Sequence, residues 1–243
     1  MTVDVLAIGA HPDDVELGVG GLLHKLSARG YTTGILDLTR GEMSTRGTVD
    51  ERAAEAAEVA RILGVARRET ATLPDSELAD TPDRRLQVIK YLRIFRADML
   101  LIPMCNDRHP DHNTAHQLCC DANFFAGLKR IETGDSPPHR ASRLYFYHPY
   151  TDHSGVPVLV VDISEHFETK LEALEAYRSQ FYNPARHGEQ TYVSSRSFWE
   201  GIRTRAAYWG RRIGVSYGEP LFTNEPVGVD LPPGLETPPC DSE

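Results

Sequence analysis

From residue 3 to about 126, short apolar runs take turns with stretches of helical periodicity, and this alternation constrains the chain more than any other feature. "VDVLAIG" (3–9) is rich in β-branched residues, as a strand buried on both faces requires. Helical periodicity follows from about Val15 to Arg29, closed by Gly30, and "TTGILDL" (32–38) reads as a second strand. "VDERAAEAAEVARILGV" (49–65) is an alanine-rich amphipathic helix that ends at Gly64. "RETATL" (68–73) is a weak third strand, "DRRLQVIKYLRIFRA" (83–97) another helix and "DMLLIP" (98–103) a fourth strand, after which Pro110 opens a helix to about Phe125. Strands alternating with such helices predict an α/β fold: a Rossmann-like, doubly wound, mainly parallel sheet flanked by helices, with right-handed crossovers.

The second half continues with strands near "RLYFY" (143–147) and "VPVLVVDI" (156–163). A long helix is expected over "SEHFETKLEALEAYRSQF" (164–181) with Ser164 as its N-cap, and a last one within 195–213. No repeat or linker divides the chain, so a single domain over 1–224 is expected, followed by a loose tail (225–243) that holds five of the sixteen prolines.

Composition narrows the partners. A formal charge of −9 argues against nucleic acid or an anionic membrane as the main partner, though a local arginine cluster can still receive a small anion. No stretch approaches the roughly 18 apolar residues of a membrane span, and the N-terminus lacks a signal-peptide layout. The four cysteines show no CxxC spacing; the expectation is reduced thiols in a cytoplasmic protein.

Chemistry concentrates in two loops. "HPDD" (11–14) follows the first strand and "NDRHPDH" (106–112) follows the "LLIP" strand; both contain His-Pro-Asp and both lead into a helix. In an open α/β sheet, ligands bind at the carboxyl ends of the strands, so two such loops can reach one cation. Two imidazoles and a carboxylate with a free position suit catalytic zinc. The same set accepts Fe(II), but the oxygenase triad is usually presented by a jelly-roll barrel, which the alternating pattern here does not match. The adjacent aspartates divide the work: one of Asp13 and Asp14 ligates while the other stays free to take a proton from water, and the spacing leaves open which.

Each residue also has a structural alternative. Asp13 can cap the helix that follows, and His109-Pro110 can be an N-cap followed by proline at the first helical position. His116, one turn beyond His112, is a rival ligand but reads better as a supporting or core residue. His148, His153 and His187 carry no partner pattern and are expected on the surface or in loops. The glycines of "ELGVGG" do not form a dinucleotide fingerprint, because His-Pro-Asp-Asp occupies the turn where the first glycine belongs. They fall within the first helix, where small residues allow close packing.

"AIGAHPDDVELGVGG", "LTRGEMSTRGT", "RAAEAAEVARILGV", "LPDSEL" and "DRHPDHNTAHQL" together resemble the PIG-L (LmbE-like) family of zinc-dependent N-acetylglucosamine deacetylases, over about residues 3–217. Within the family, "RGEMSTRGT", "VVDISEHFETKLEALEAYRSQF" and "IGVSYGEPLF" are most similar to members that deacetylate N-acetylglucosaminyl-malate in bacillithiol biosynthesis. The resemblance implies His11, Asp14 and His112 as zinc ligands, with one ion per chain, Asp13 as general base, and His109 as the imidazolium that stabilises the oxyanion or protonates the leaving amine. It further implies Arg52, Arg108 and Tyr192 as substrate contacts, a malate-linked acetylated amino sugar as substrate, and a homo-oligomer.

Overall fold

The computed structural model describes residues 2–149 and 156–229. Five parallel strands form the central sheet: β1 (Val5–Gly9), β2 (Thr33–Asp37), β3 (Arg67–Thr70), β4 (Met99–Pro103) and β5 (Arg143–Tyr147), in spatial order β3-β2-β1-β4-β5. Helices α1 (Asp14–Ala28) and α2 (Val49–Leu63) lie against one face, α3 (Pro82–Phe95) and α4 (Pro110–Ala126) against the other. This is the single α/β domain the alternation predicts. The strand order reverses between β1 and β4, so the loops leaving these two strands flank the crevice of the switch point. Both histidine loops leave from there.

Local signals explain most of the boundaries. The Thr48 and Thr81 hydroxyls cap α2 and α3 by accepting from the Glu51 and Arg84 amides. Gly64 ends α2 in the left-handed conformation that glycine adopts without cost. β3 begins one residue earlier than expected and stops at Thr70.

The C-terminal half departs further from expectation. β6 (Leu159–Asp162) does not join the main sheet; it pairs antiparallel with β7 (Gly218–Leu221), a strand that periodicity did not reveal. The long helix expected over 164–181 is instead a 3-10 turn (Ser164–His166) followed by a short α5 (Phe167–Ala176). Ser164 is not its N-cap. Its hydroxyl donates to Asp162 Oδ1 and accepts from the Tyr217 amide, tying the turn to the β6–β7 ribbon. α5 ends early because Tyr177 turns inward: its hydroxyl donates to Glu16 and accepts from Arg68. The final helix, α6 (Arg196–Arg212), lies where expected and is capped by the Ser195 hydroxyl. The proline-rich tail lies, from residue 230 onward, outside the described residues.

A buried ionic network props the start of α1. Arg68 of β3 donates from Nε and Nη2 to the two oxygens of Asp37 at 2.7 and 2.9 Å, and from Nη1 to Glu16 at 2.6 Å. Such a bidentate, fully hydrogen-bonded cation is the form in which a buried guanidinium is tolerated. Glu16 sits two residues past Asp14, so the network fixes the helix turn that carries the first histidine loop. No helix among the described residues is long and apolar enough to cross a membrane.

The glycines of "ELGVGG" serve packing. A Cβ on Gly18 would lie 2.1 Å from the Tyr147 ring, which is fully buried and has nowhere to move, whereas a Cβ on Gly201 in α6 would meet open space. Gly18→Ala should therefore lower stability by about 1–3 kcal/mol, the cost of overpacking. Gly201→Ala should raise it by about 0.5–1 kcal/mol, since alanine restricts the unfolded chain and favours the helix. Urea unfolding midpoints at constant slope distinguish these signs, and equal effects would contradict the packing described.

Candidate metal centre

His11, Asp13 and Asp14 stand in the loop between β1 and α1; His109 and His112 stand at the start of α4. Asp13 has φ 110°, a left-handed conformation that costs a non-glycine residue about 1–3 kcal/mol and persists only where its surroundings enforce it. Three contacts do so. Arg52 donates from Nε to the Pro12 carbonyl at 3.1 Å and from Nη2 to Asp13 Oδ2 at 2.9 Å, and the Leu17 amide donates to the Asp13 carbonyl at 3.0 Å. Asp13 occupies the N-cap position of α1, but its side chain makes no capping bond. The carboxyl is thereby left for other work.

Asp14 lies between the two histidine loops. Its Oδ1 is 3.1 Å from His112 Nε2 and its Oδ2 is 3.4 Å from His11 Nδ1. His109, His11 and His112 also bring one ring nitrogen each within 4.8 Å of one another. The His109 ring stacks on His112 with centroids 4.9 Å apart and meets His11 edge-on at 4.8 Å. His109 Nδ1 accepts from the Asp111 amide at 3.2 Å, which leaves Nε2 as the nitrogen that can carry a transferable proton.

Each inner imidazole is backed by carboxylate. His112 Nδ1 lies 3.2 Å from Asp107 Oδ1, and His11 Nε2 lies 3.1 Å from Asp75 Oδ1 and 3.4 Å from Asp111 Oδ2. Asp75 is held in turn by the Met43 amide at 2.8 Å, and Asp111 by the Ser76 amide at 2.8 Å. Carboxylates on the outer nitrogens of metal-binding imidazoles fix ring orientation and raise ligand basicity. The sequence reading gave no role to Asp75, Asp107 or Asp111. All three lie in quoted motifs, yet nothing in spacing says that Asp75, 64 residues away, closes on His11.

The electrostatics follow from burial and charge. Burial pushes the Asp13 carboxyl up to about 7, with Arg52 pulling it down and Asp14 adding to the rise. Burial works against the His112 imidazolium, but the charge of Asp14 and the bond to Asp107 outweigh it and lift the group to about 9. His11 is lifted well above the ordinary imidazole value in the same way, against its burial, by bonds to Asp111, Asp14 and Asp75. Asp14 falls well below the usual carboxylate range, the two imidazoles overcoming its burial. His109 is lowered by burial and by His11 and His112.

These donors fit a divalent cation. Two imidazoles and the Asp14 carboxylate lie together in a buried space, and supplying two positive charges there with protons would place two imidazolium rings with centroids 5.8 Å apart. A divalent ion does the same with both imidazoles neutral. His11, Asp75 and Asp111 form a second group with donor atoms within 4.8 Å. Its carboxylates are already engaged with backbone amides and with His11, so they orient the imidazole.

The remaining expected residues divide. Arg108 and Tyr192 come together at the exposed rim, the guanidinium 4.1 Å above the phenol ring. Arg52 is buried, and its hydrogen bonds go to Pro12 and Asp13 in the protein's own loop. His116 is a supporting residue, its Nδ1 3.0 Å from the Pro103 carbonyl and its ring against Phe146. His148, expected at the surface, is buried instead, with Nδ1 4.0 Å from Asp107 and its ring edge-on to Phe222. It follows β5 directly, and the pairing of Phe146 with Phe222 draws that strand end inward. His187 is exposed as expected, and His153 lies outside the described residues. Cys105, Cys119 and Cys120 are free thiols.

Relatives share this framework. The family model described as GlcNAc-PI de-N-acetylase (PIG-L) matches residues 6–123, a span that contains both histidine loops. The diacetylchitobiose deacetylase of Thermococcus kodakarensis is 31% identical over 246 residues, covering 95% of this chain and 84% of that protein. Among solved structures, the conserved protein TT1542 from Thermus thermophilus is 39% identical with a TM-score of 0.84, covering 94% of this chain and 97% of that one. The N,N'-diacetylchitobiose deacetylase from Pyrococcus horikoshii is 30% identical with a TM-score of 0.75, covering 89% and 82%. With identity at this level along nearly the whole chain, and with both histidine loops inside the matched region, this protein belongs to the PIG-L family.

Proposed function

We propose that the protein hydrolyses the N-acetyl group of an N-acetylglucosaminide, releasing acetate and a free amine. One observation carries the reading: the Asp14 carboxylate lies between an imidazole from each loop, 3.4 Å from His11 Nδ1 and 3.1 Å from His112 Nε2, and a second buried carboxylate, Asp13, precedes it and is held by Arg52 instead. The deacetylases among its relatives add weight to this choice of reaction.

His11, Asp14 and His112 would hold the ion. Zinc bound there supplies Lewis acidity and a water whose pKa falls towards about 7, and the same donors accept Fe(II). Asp13 is the general base. Its carboxyl, pushed up to about 7, matches the neutral range in which a base both accepts a proton and returns it. Arg52 keeps that carboxylate aimed by gripping Asp13 and the preceding carbonyl together. His109 offers its Nε2 proton to the developing oxyanion or to the departing amine. As the C–N bond breaks, the amine nitrogen gains a proton and the carbonyl carbon, bonded to the water oxygen, leaves as acetate.

Arg108 and Tyr192 at the rim would meet the rest of the substrate. Malate as the linked group draws on Arg108, an exposed cation suited to a carboxylate; Arg52, the other arginine expected there, is engaged inside the loop. Comparing kcat/KM for malate-linked, inositol-linked and glycosyl-linked glucosaminides decides the aglycone, and a preference for inositol or sugar would overturn malate.

Three outcomes test the site. Chelation should abolish acetate release from acetylated glucosaminides and stoichiometric zinc should restore it; no release from any of them with one metal bound per chain would refute the reading. Asp13→Asn should lower kcat by about 10²–10⁴-fold while metal content stays the same, the range for loss of a general base. Asp107→Asn should weaken metal binding by about 10–100-fold in competition with a chelator, because His112 loses its outer partner. An unaltered affinity would remove Asp107 from the site.

A further inference from the structure

Ten residues past Asp14 on α1, His24 meets His166, the last residue of the 3-10 turn that leads into α5. Their Nδ1 atoms are 3.1 Å apart, and the rings stand edge-on at 76° with centroids 4.9 Å apart. Both side chains are half-buried, with protein on one side and water on the other. Neither belongs to the centre built by the two histidine loops.

Two rings joined by a straight N–H···N bond of this length would hold their centroids about 5.4 Å apart, each nitrogen lying on the line between them. The observed 4.9 Å means that the ring axes are bent off that line. Imidazoles that bind one ion through nitrogens about 2.0–2.1 Å from it, with about 100° between them, place those nitrogens about 3.1 Å and the ring centroids about 4.9 Å apart. Both separations in this pair have those values. The two Nδ1 atoms are therefore aimed at a common point rather than along a single bond.

The surrounding charge suits a cation. Burial, and then the charge of His166, hold His24 below the ordinary imidazole value, so at neutral pH its ring is uncharged and has a lone pair to give. The Glu172 carboxylate acts on His24, and Asp162 feels the charge of His166. Lys25, next in sequence to His24, has its ammonium committed to the Asp162 carbonyl at 2.5 Å. Imidazole is a donor for zinc, nickel and copper, whereas calcium and magnesium take oxygen.

We propose that His24 and His166 form a second metal site, which takes a transition ion of the zinc class, with water in its remaining positions, and pins the turn before α5 to α1. Two imidazoles open to solvent bind more weakly than a buried set that includes a carboxylate, so this site fills after the centre at the histidine loops. It stands independently of the deacetylase reading, because neither histidine belongs to the groups assigned to that reaction.

Equilibrium dialysis of the full chain against zinc tests it. The wild-type chain should bind two ions, and His24→Ala and His166→Ala should each bind one. Both side chains are half-buried and outside the apolar core, so these variants should fold, which their metal-free melting temperatures check. His166→Asn keeps a polar side chain there and should lose the second ion as well. Zinc should still raise the melting temperature of His112→Ala, whose first centre is crippled, and adding His166→Ala should remove that rise. A single bound ion that His112→Ala removes and that His24→Ala and His166→Ala both retain overturns the site and leaves a hydrogen-bonded histidine pair. A second ion that survives both His24→Ala and His166→Ala overturns it too. Failure of the centre at the histidine loops has a separate signature: one ion, lost in His166→Ala and kept in His112→Ala.

Discussion

The carboxylate of Asp14, between an imidazole from each of two loops, is the contact on which the rest of the site depends. It joins the loop after β1 to the start of α4, across the place where the strand order reverses. Carboxylate and imidazoles are buried together, so their charges have to balance within a few ångströms. The surrounding architecture serves that balance. Arg68 secures the turn that presents Asp14, Arg52 holds the strained residue before it, and Asp75 and Asp107 fix the outer nitrogens of the two histidines.

The strain at Asp13 has a functional sense. A residue in a relaxed helical start would aim its carboxyl at the amides of the first turn, as an ordinary N-cap does. With φ at 110° the side chain is turned away from those amides and held by a guanidinium. One short loop thus gives two adjacent aspartates opposite electrostatic fates. Asp14 is held well below the usual carboxylate range by imidazoles, and Asp13 is raised to about 7 by burial. Pairs of carboxyl groups separated in this way are how one site supports both a ligand and a base.

The parallel sheet, its flanking helices and both histidine loops were legible in the sequence because they depend on local signals: apolar period, helix-ending glycines, and His-Pro-Asp at strand ends. What escaped depends on distant partners. α5 stops at Ala176 although its period continues, because the Tyr177 hydroxyl finds Arg68 and Glu16 from β3 and α1. β7 contains a proline and a charged residue and reads as loop, yet Glu219 is buried, accepting from the Gly21 and Leu22 amides and from Lys170. Arg52, with acidic neighbours in sequence, could be read as a surface or substrate group; its burial against Pro12 is a tertiary fact. Asp75 and His148 likewise have no sequence pattern linking them to the site.

The central claim is that one ion is gripped by His11, Asp14 and His112. A crystal structure of the zinc-loaded protein, with the ion located by its anomalous scattering, tests it most directly. The account predicts one peak at about 2.0–2.2 Å from an imidazole nitrogen of each histidine and from an Asp14 oxygen, with Asp13 outside bonding distance. A peak instead between Asp75 and Asp111, or an Asp13 oxygen bonded to the ion in place of Asp14, would contradict it.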